Sequence, residues 1–514
     1  MRLFDAGDLY RADSIGASLG ASSVAAAGSR LVGLVRGVAL AWLIPQAEFG
    51  LYGVALLVVN VLLPMCSSGL YEGVMRYAPY HESVGTLRRF VFHSAILVLG
   101  LAATATAGLA VFAEPLSTAL FSTAGSSVAA ASASTGGGGL ASLTRASLAC
   151  VLSLAAFQTF LGLLKGLRMF RALGVVELTA ACLFTVAALA GATCGLTTAR
   201  ALITIYALSC VAVVIVFYPG LVLAIRNTER PEGRAVGTDR RRPTSRLLTY
   251  SVWAAGTAVL WHAVSYYPMW YLLKVSDRET VGTFHAVRLI TQLIHVGAVM
   301  LTSILAANVT RAWEHEGRAS AVPRLELLTK ASILLLILSA SVLAIVRPAA
   351  FWLFPSAFAA GKAAYNPLIL FFLIVGMVAV VTVRFNLLEK PRLVCMAWLT
   401  GAVVNVVASY LLLTPHWSGV VVTDAAALSA AAWAGVLGAS ATAVSCLVLV
   451  SHQGLPVLRT TVLLIVGGYA LAAGWIGGVV LAAAVVVLLA ETGVLVNEAE
   501  RLELRRVFVR TGDR

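Results

Sequence analysis

Runs of about 20 predominantly apolar residues recur along this chain, each long enough to cross a bilayer's hydrocarbon core as a helix. Fourteen can be placed, at 19–43, 50–71, 90–112, 144–164, 173–195, 201–224, 248–272, 281–306, 329–347, 365–386, 393–413, 425–449, 459–475 and 477–496. The last pair is the weakest, because Gly474 to Gly478 leaves almost no turn. Only 12% of the 514 residues are charged, against roughly 25% in a soluble domain. Mean hydropathy is +0.91. The fold class is therefore an all-α polytopic membrane protein. Residues 1–8 are polar and the first apolar run is of spanning length, so no cleavable signal peptide is expected. The seven cysteines lie in apolar runs without metal-ligand spacing and read as small hydrophobes.

Fourteen crossings starting inside put 28 of the 37 Lys and Arg residues in cytoplasmic segments and six outside. That bias orients both termini to the cytoplasm. The longest cytoplasmic link, 227–246, is basic and reads as a solvated linker beside an anionic membrane face. It divides helices one to six (1–226) from helices seven to twelve (247–452), leaving 453–514 for two additional helices and a tail. The halves echo each other. Glu48-Phe-Gly50-Leu-Tyr52 follows the first span, and Glu279-Thr-Val-Gly282-Thr-Phe284 follows the seventh. A parallel repeat of two six-helix halves is one transporter architecture. The low-complexity stretch 121–140 reads as an uncharged flexible loop.

Three arginines remain at membrane depth: Arg30, Arg36 and Arg288. A lone charge there costs at least ~2.5–3.5 kcal/mol and normally has a partner or a function. Arg30 and Arg36 share one span, about 9 Å apart in depth and about 120° apart around the helix, so they need not share one ligand. In the span 281–306, His285, Arg288, Gln292 and His295 fall within about 80° of one another and are expected to wall a hydrated cationic cavity. The alternative is an internal hydrogen-bond network. Secondary candidates are Asn60, Glu72, Arg76, His262, Glu177 and Asn405. Glu72 and Arg76 are spaced to pair with each other, and Pro64 predicts a kink in the span 50–71. Tyr266, Tyr267, Trp270 and Tyr271 read as anchors at the outer interface. Arginine forks match phosphate oxygens bidentately and stay charged, so the implied cargo is anionic. A large lipid-linked phosphate or pyrophosphate fits that requirement.

The chain resembles the multidrug/oligosaccharidyl-lipid/polysaccharide (MOP) exporter superfamily, nearest to its Wzx-type polysaccharide flippases, with lipid II flippases as relatives. The resemblance rests on Ser29-Arg30-Leu-Val-Gly33-Leu-Val-Arg36, Glu48-Phe-Gly50-Leu-Tyr52 and Gly69-Leu-Tyr-Glu72-Gly73. It continues through Ala286-Val-Arg288-Leu and Leu353-Phe-Pro-Ser-Ala-Phe-Ala-Ala-Gly361, covering nearly the whole chain. It implies two six-helix lobes in a V plus two C-terminal helices, a central cavity and alternating access. Arg30, Arg36 and Arg288 stand where lipid II flippases carry cavity arginines. Val287 and Gly37 stand where that branch commonly has aspartates, which favours a polysaccharide-unit flippase.

The expected function is transport of a lipid-linked oligosaccharide from the cytoplasmic to the outer leaflet of the cell membrane, without enzymatic activity. No cofactor is expected beyond a coupling ion, H+ or Na+. The partners are that substrate, membrane lipids and other polysaccharide-assembly proteins, with no nucleic acid, and the chain is expected to be a monomer. The rivals are a lipid II flippase, a cation-coupled drug exporter, which would use Glu177 as its titrating acid, and a polysaccharide polymerase or ligase. An enzyme of that last kind would carry polar catalytic residues in a large outer loop, but 113–143 offers only Glu114 as an ionisable group. Reporter fusions at either terminus should report a cytoplasmic location. An external terminus would reject both the orientation and the even number of crossings.

Overall fold

The structure, a computed structural model, describes residues 15–83, 85–122, 139–167, 169–228, 243–315, 317–388, 390–414, 423–454 and 459–491. Most of the basic linker, most of the loop 121–140 and the C-terminal tail lie outside the described residues. The helices are α1 (Ile15–Leu43), α2 (Gln46–Cys66), α3 (Leu70–Ser83), α4 (Leu87–Val111), α5 (Ala113–Phe121), α6 (Gly139–Gly166), α7 (Phe170–Thr193), α8 (Ala199–Thr228) and α9 (Pro243–Val275). They continue with α10 (Arg278–Thr291), α11 (Leu293–His315), α12 (Arg318–Ile345), α13 (Arg347–Trp352), α14 (Lys362–Leu387), α15 (Pro391–Leu413), α16 (Asp424–His452), α17 (Arg459–Gly468) and α18 (Trp475–Glu491). Among the described residues, nine helices are long and apolar enough to cross a membrane, or ten if the bent pair α10–α11 counts as one span.

The chain divides into two compact units, residues 1–262 and 263–514, with the boundary inside α9. In the first unit, α6 is the most enclosed helix and packs against α8, α3, α4 and α2, while α1 packs along α7. Close approach to α3 depends on Gly162 and Gly166, a small-xxx-small pair. A Cβ at either would lie 2.8 Å from a backbone oxygen of α3, of Tyr71 and Met75 respectively. In the second unit, α14 is buried along most of its length between α16, α11, α12 and α10. The helices α15 and α16 meet at Gly438, where a Cβ would lie 2.6 Å from the Asn405 Cβ. The two short C-terminal helices pack on α12 and α14.

Several expected spans are interrupted. The segment 50–71 is not one kinked helix: α2 stops at Cys66, three residues before Gly69. The Ser68 N–H donates to the Met65 carbonyl at 3.2 Å and the Gly69 N–H to the Pro64 carbonyl at 3.1 Å. That crossed pair is a Schellman cap, and it puts Ser68 at φ 47°, a conformation in which a non-glycine residue is uncommon. The segment 281–306 bends by 40° at Gln292, so α10 and α11 are not one straight helix. The segment 459–475 is α-helical only to Gly468 and continues as a 3-10 turn, Tyr469–Ala473.

Two acids sit at helix starts, Glu48 of the sequence echo and Asp277, which the echo did not include. Glu48 accepts the Ala199 N–H at 2.7 Å, so its carboxylate sits on the positive N-terminus of α8. In the second unit Asp277 does this for its own helix, accepting from the Thr280 N–H at 2.7 Å.

Gly69 holds the broken second span against α9. A Cβ there would lie 2.6 Å from the Ser251 carbonyl oxygen and 2.8 Å from the Ala255 nitrogen, both backbone atoms with little freedom to move. Its φ of +61° adds strain for any L side chain. Gly69→Ala should therefore destabilise the protein by about 1–3 kcal/mol. Thermal unfolding in detergent, followed by fluorescence-detected gel filtration, should show a clear loss, whereas Gly100→Ala, with open space around it and no positive φ, should lose much less.

Candidate functional site: charges held in apolar helices

The arginines expected at depth meet different fates. Arg288 is 3% exposed. Its Nη1 donates to the Ser265 carbonyl. Its guanidinium carbon lies 3.8 Å from the Tyr266 ring centre and 5.3 Å from that of Phe372. The local cause is Pro268, which has no N–H and leaves the carbonyl four residues earlier without its helical donor. That carbonyl belongs to Val264, and Asn405 Nδ2 donates to it at 3.0 Å. Arg288 takes the next carbonyl along. Arg288 thus ends inside the second unit on a backbone oxygen and an aromatic cage, rather than on an open surface. Tyr266, expected as an interface anchor, carries this guanidinium instead. Tyr271 shares a hydrogen bond with Thr414 at 3.0 Å.

Of the other members of that predicted stripe, His285 stays on the helix that carries Arg288, while Gln292 and His295 fall at and beyond the bend. His285 is buried at 5% exposure on α10. Gln292 caps α10 at the bend, and the half-buried His295 lies beyond it on α11. The shared face assumed one continuous helix, which the 40° bend removes.

Arg36 is half-buried within the first unit. Its Nη1 donates to Thr185 Oγ1 at 3.3 Å and its guanidinium carbon lies 4.1 Å from the centre of the Phe184 ring. Phe184 in turn packs on Tyr206, with ring centres 4.7 Å apart. Gly33, one turn earlier on α1, leaves room for the side chain: a Cβ there would lie 3.6 Å from Arg36 Nη2. The contacts of Gly28 with Leu178 and of Arg36 with Thr185 show α1 and α7 running parallel in register.

Arg30 is exposed and has no polar partner among the described residues. Its direction matters more than its exposure. Counting about 100° per residue from Arg30, buried Leu40, Gly37 and Ala41 fall at about 280–20°, on both sides of it. Leu31, Val35 and Trp42, 57–61% exposed, fall at about 100–140°. The apolar exposed stripe is the lipid-facing one, and Arg30 points well away from it. Arg30 lies on the arc of α1 that is covered in the C-terminal half of the helix and open at its own level.

The secondary candidates do not gather into one site. Glu177 on α7 pairs with Lys165 on α6 at 3.9 Å. Glu72 is half-buried in the first turn of α3, with the exposed Arg76 one turn later. Asn60 on α2 and His262 on α9 are half-buried. Asn405 is fully buried and serves the α9 break. Sequence reasoning missed the most enclosed ion pair. Arg384 on α14 is 1% exposed, donating to Glu326 Oε1 at 2.8 Å and Thr329 Oγ1 at 3.1 Å. The expected span began at 329, so Glu326 was counted outside the membrane. The i,i+4 pair Glu326 and Lys330 was the available signal that the helix starts earlier.

Asn405→Leu should test the α9 break. It leaves the Val264 carbonyl buried without a donor, which costs about 1–3 kcal/mol. A lower unfolding temperature at normal expression is the expected result, and unchanged stability would show that Pro268 is not braced this way.

Residues 15–307 match the model of the family described as polysaccharide biosynthesis protein. No curated protein matches the chain. Among solved structures, a MOP superfamily transporter from Pyrococcus furiosus, described as having a binding pocket of reverse polarity that suggests a different function, is 14% identical at a TM-score of 0.62. The match covers 87% of this chain and 98% of that one. The inward-facing form of a multidrug resistance MATE family transporter of the same superfamily is 14% identical at a TM-score of 0.59, covering 83% of this chain and 95% of that one. The outward-facing form of a MATE family transporter is 13% identical at 0.61, covering 87% and 97%. With more than half its length matched by the family model, this chain belongs to the polysaccharide biosynthesis protein family, and it has the fold of MOP superfamily transporters.

Proposed function

We propose that this protein is a flippase that carries a lipid-linked oligosaccharide, joined to its lipid by a pyrophosphate, from the cytoplasmic to the outer leaflet for surface polysaccharide assembly. It works by alternating access in the cell membrane, with both termini cytoplasmic. The glycan crosses through a polar cavity while the lipid tail stays in the bilayer. No bond is made or broken in the cargo. The observation that carries this reading is Arg30: an uncompensated guanidinium, well inside an apolar helix, on the arc that faces away from lipid. A positive charge in such a place is tolerated when an anion comes to meet it. Arg36 supplies a second charge on the same helix, and Arg288 acts indirectly by bracing α9. The reverse-polarity pocket described for the Pyrococcus furiosus transporter is a precedent on this fold for a site whose charge departs from that of a drug exporter. The drug-exporter reading is weaker, because Glu177, the acid it would use, is engaged with Lys165.

In a strain lacking this chain's own gene, Arg30→Ala should restore little surface glycan while reaching the membrane at normal level. Losing one charge-assisted contact, roughly 1.5–3 kcal/mol, corresponds to about a ten- to hundredfold loss of head-group affinity. Arg30→Lys should restore part of it, since a point charge replaces a fork. Full glycan from a well-expressed Arg30→Ala/Arg36→Ala double variant would overturn the proposal.

A further inference from the structure

We infer that Arg30 and Arg36 bind two separate anionic groups of one cargo molecule, and that the glycan therefore carries an acidic substituent besides the pyrophosphate. This rests on the flippase reading and narrows it to acidic glycans. Two arginines on one helix would ordinarily be expected to close on a single pyrophosphate, whose two phosphorus centres are neighbours. Here they diverge. Six residues of α-helix separate them by about 9 Å along the axis and about 120° around it. Arginine side chains are long enough to offset part of that distance, but Arg36 is not free to do so. Its guanidinium is held over Phe184 and hydrogen-bonded to Thr185, both on α7. Phe184 is itself backed by Tyr206. Arg30 stands on a different arc of α1, with no polar partner among the described residues to hold it.

Neither charge is neutralised. The contacts recorded for Arg36 are an aromatic face and a hydroxyl, which orient a guanidinium without cancelling it. Glu177, the acid on α7, is engaged with Lys165, and Glu48 on α2 with the start of α8. Arg36 is half-buried, and its recorded contacts occupy one N–H and one face of its fork, leaving its other N–H groups to meet a ligand. A fixed, oriented fork suits a planar carboxylate or a phosphate on a sugar ring, whereas the unrestrained Arg30 suits the bulkier head group. Arg30 is the nearer of the two to the N-terminal end of α1, which the charge bias places on the cytoplasmic side where the pyrophosphate waits. Arg36 lies further along the path, where the leading sugars would be. Arg30 is therefore assigned the pyrophosphate and Arg36 the acidic substituent.

The test uses the full-length protein in lipid nanodiscs and three polyprenyl-pyrophosphate oligosaccharides of the same length. One carries a uronic acid, one a phosphate-substituted sugar, and one is the neutral, carboxyl-reduced counterpart. Binding by calorimetry should favour at least one acidic glycan over the neutral one by about tenfold or more, the scale of one charge-assisted contact. Arg36→Gln, which keeps a donor for Thr185 and much of the volume, should abolish that preference while binding the neutral glycan as before. Arg30→Ala should weaken all three equally. Thr185→Val, which leaves both charges but frees Arg36, should shrink the preference and guards against a misfolded Arg36 variant. Equal binding of all three by the unaltered protein would overturn the inference and leave the flippase reading standing. No binding of any glycan would overturn both.

Discussion

A guanidinium surrounded by apolar helices must find its hydrogen-bond acceptors in the protein or in a ligand, because water cannot supply them there. Four arginines in this chain meet that demand differently. Arg384 has a carboxylate, Arg288 has the backbone carbonyl next to the one a proline frees, and Arg36 has an aromatic face and a hydroxyl. Arg30 has no protein partner among the described residues. The series runs from full compensation to none. An uncompensated arginine on a lipid-facing stripe would be a defect, whereas on another arc of α1 it fits the binding role proposed for it.

The same accounting explains why the helices are broken where they are. Pro268 removes one donor from α9, and two side chains from other helices, Asn405 and Arg288, take up the neighbouring carbonyls. The break after Cys66 resolves its own backbone through the Schellman cap, and Gly69 then lets α9 approach to backbone distance. In the first unit, glycine pairs on α6 perform the matching task for α3. Packing between apolar helices gains little from hydrophobicity inside a bilayer, so close backbone contact through small residues and shared polar atoms carries more of the load. Each of these positions is intolerant of an added methyl for a stated steric reason.

Most of the helical framework was legible because span length and apolarity are long-range averages that single residues hardly perturb. The breaks were not, because they depend on local capping. Pro64 suggested a kink, but the terminating cap required Ser68 to adopt positive φ, which no propensity predicts for serine. The stripe in the span 281–306 was only partly legible for a related reason: angular spacing computed across Gln292 assumed a straight helix, and the chain bends there. For the site, the presence of Arg30, Arg36 and Arg288 was plain from the sequence, but their different roles were not. Role depends on what lies opposite, and Phe184, Thr185, Ser265 and Tyr266 are far from their arginines in sequence or on other helices. Glu326 was missed because hydropathy began its span three residues too late, leaving a buried ion pair to be read as a solvated one.

Placing both unneutralised charges on α1 has a mechanical consequence. If α1 carries both a pyrophosphate site and a second anion site, as proposed, it cannot alter their spacing without unwinding, since the axial rise between them is fixed. Cargo whose two negative groups match that spacing gains from both contacts, while cargo with one gains from one. Selection by spacing on a rigid element requires no moving part. It also makes the anchoring of Arg36 by Thr185 and Phe184 meaningful, because a fork free to swing would accept many spacings and discriminate among none. On the proposed reading, the rigidity that holds α1 against α7 in parallel register thus becomes part of substrate choice, linking a packing contact to the chemistry of the glycan.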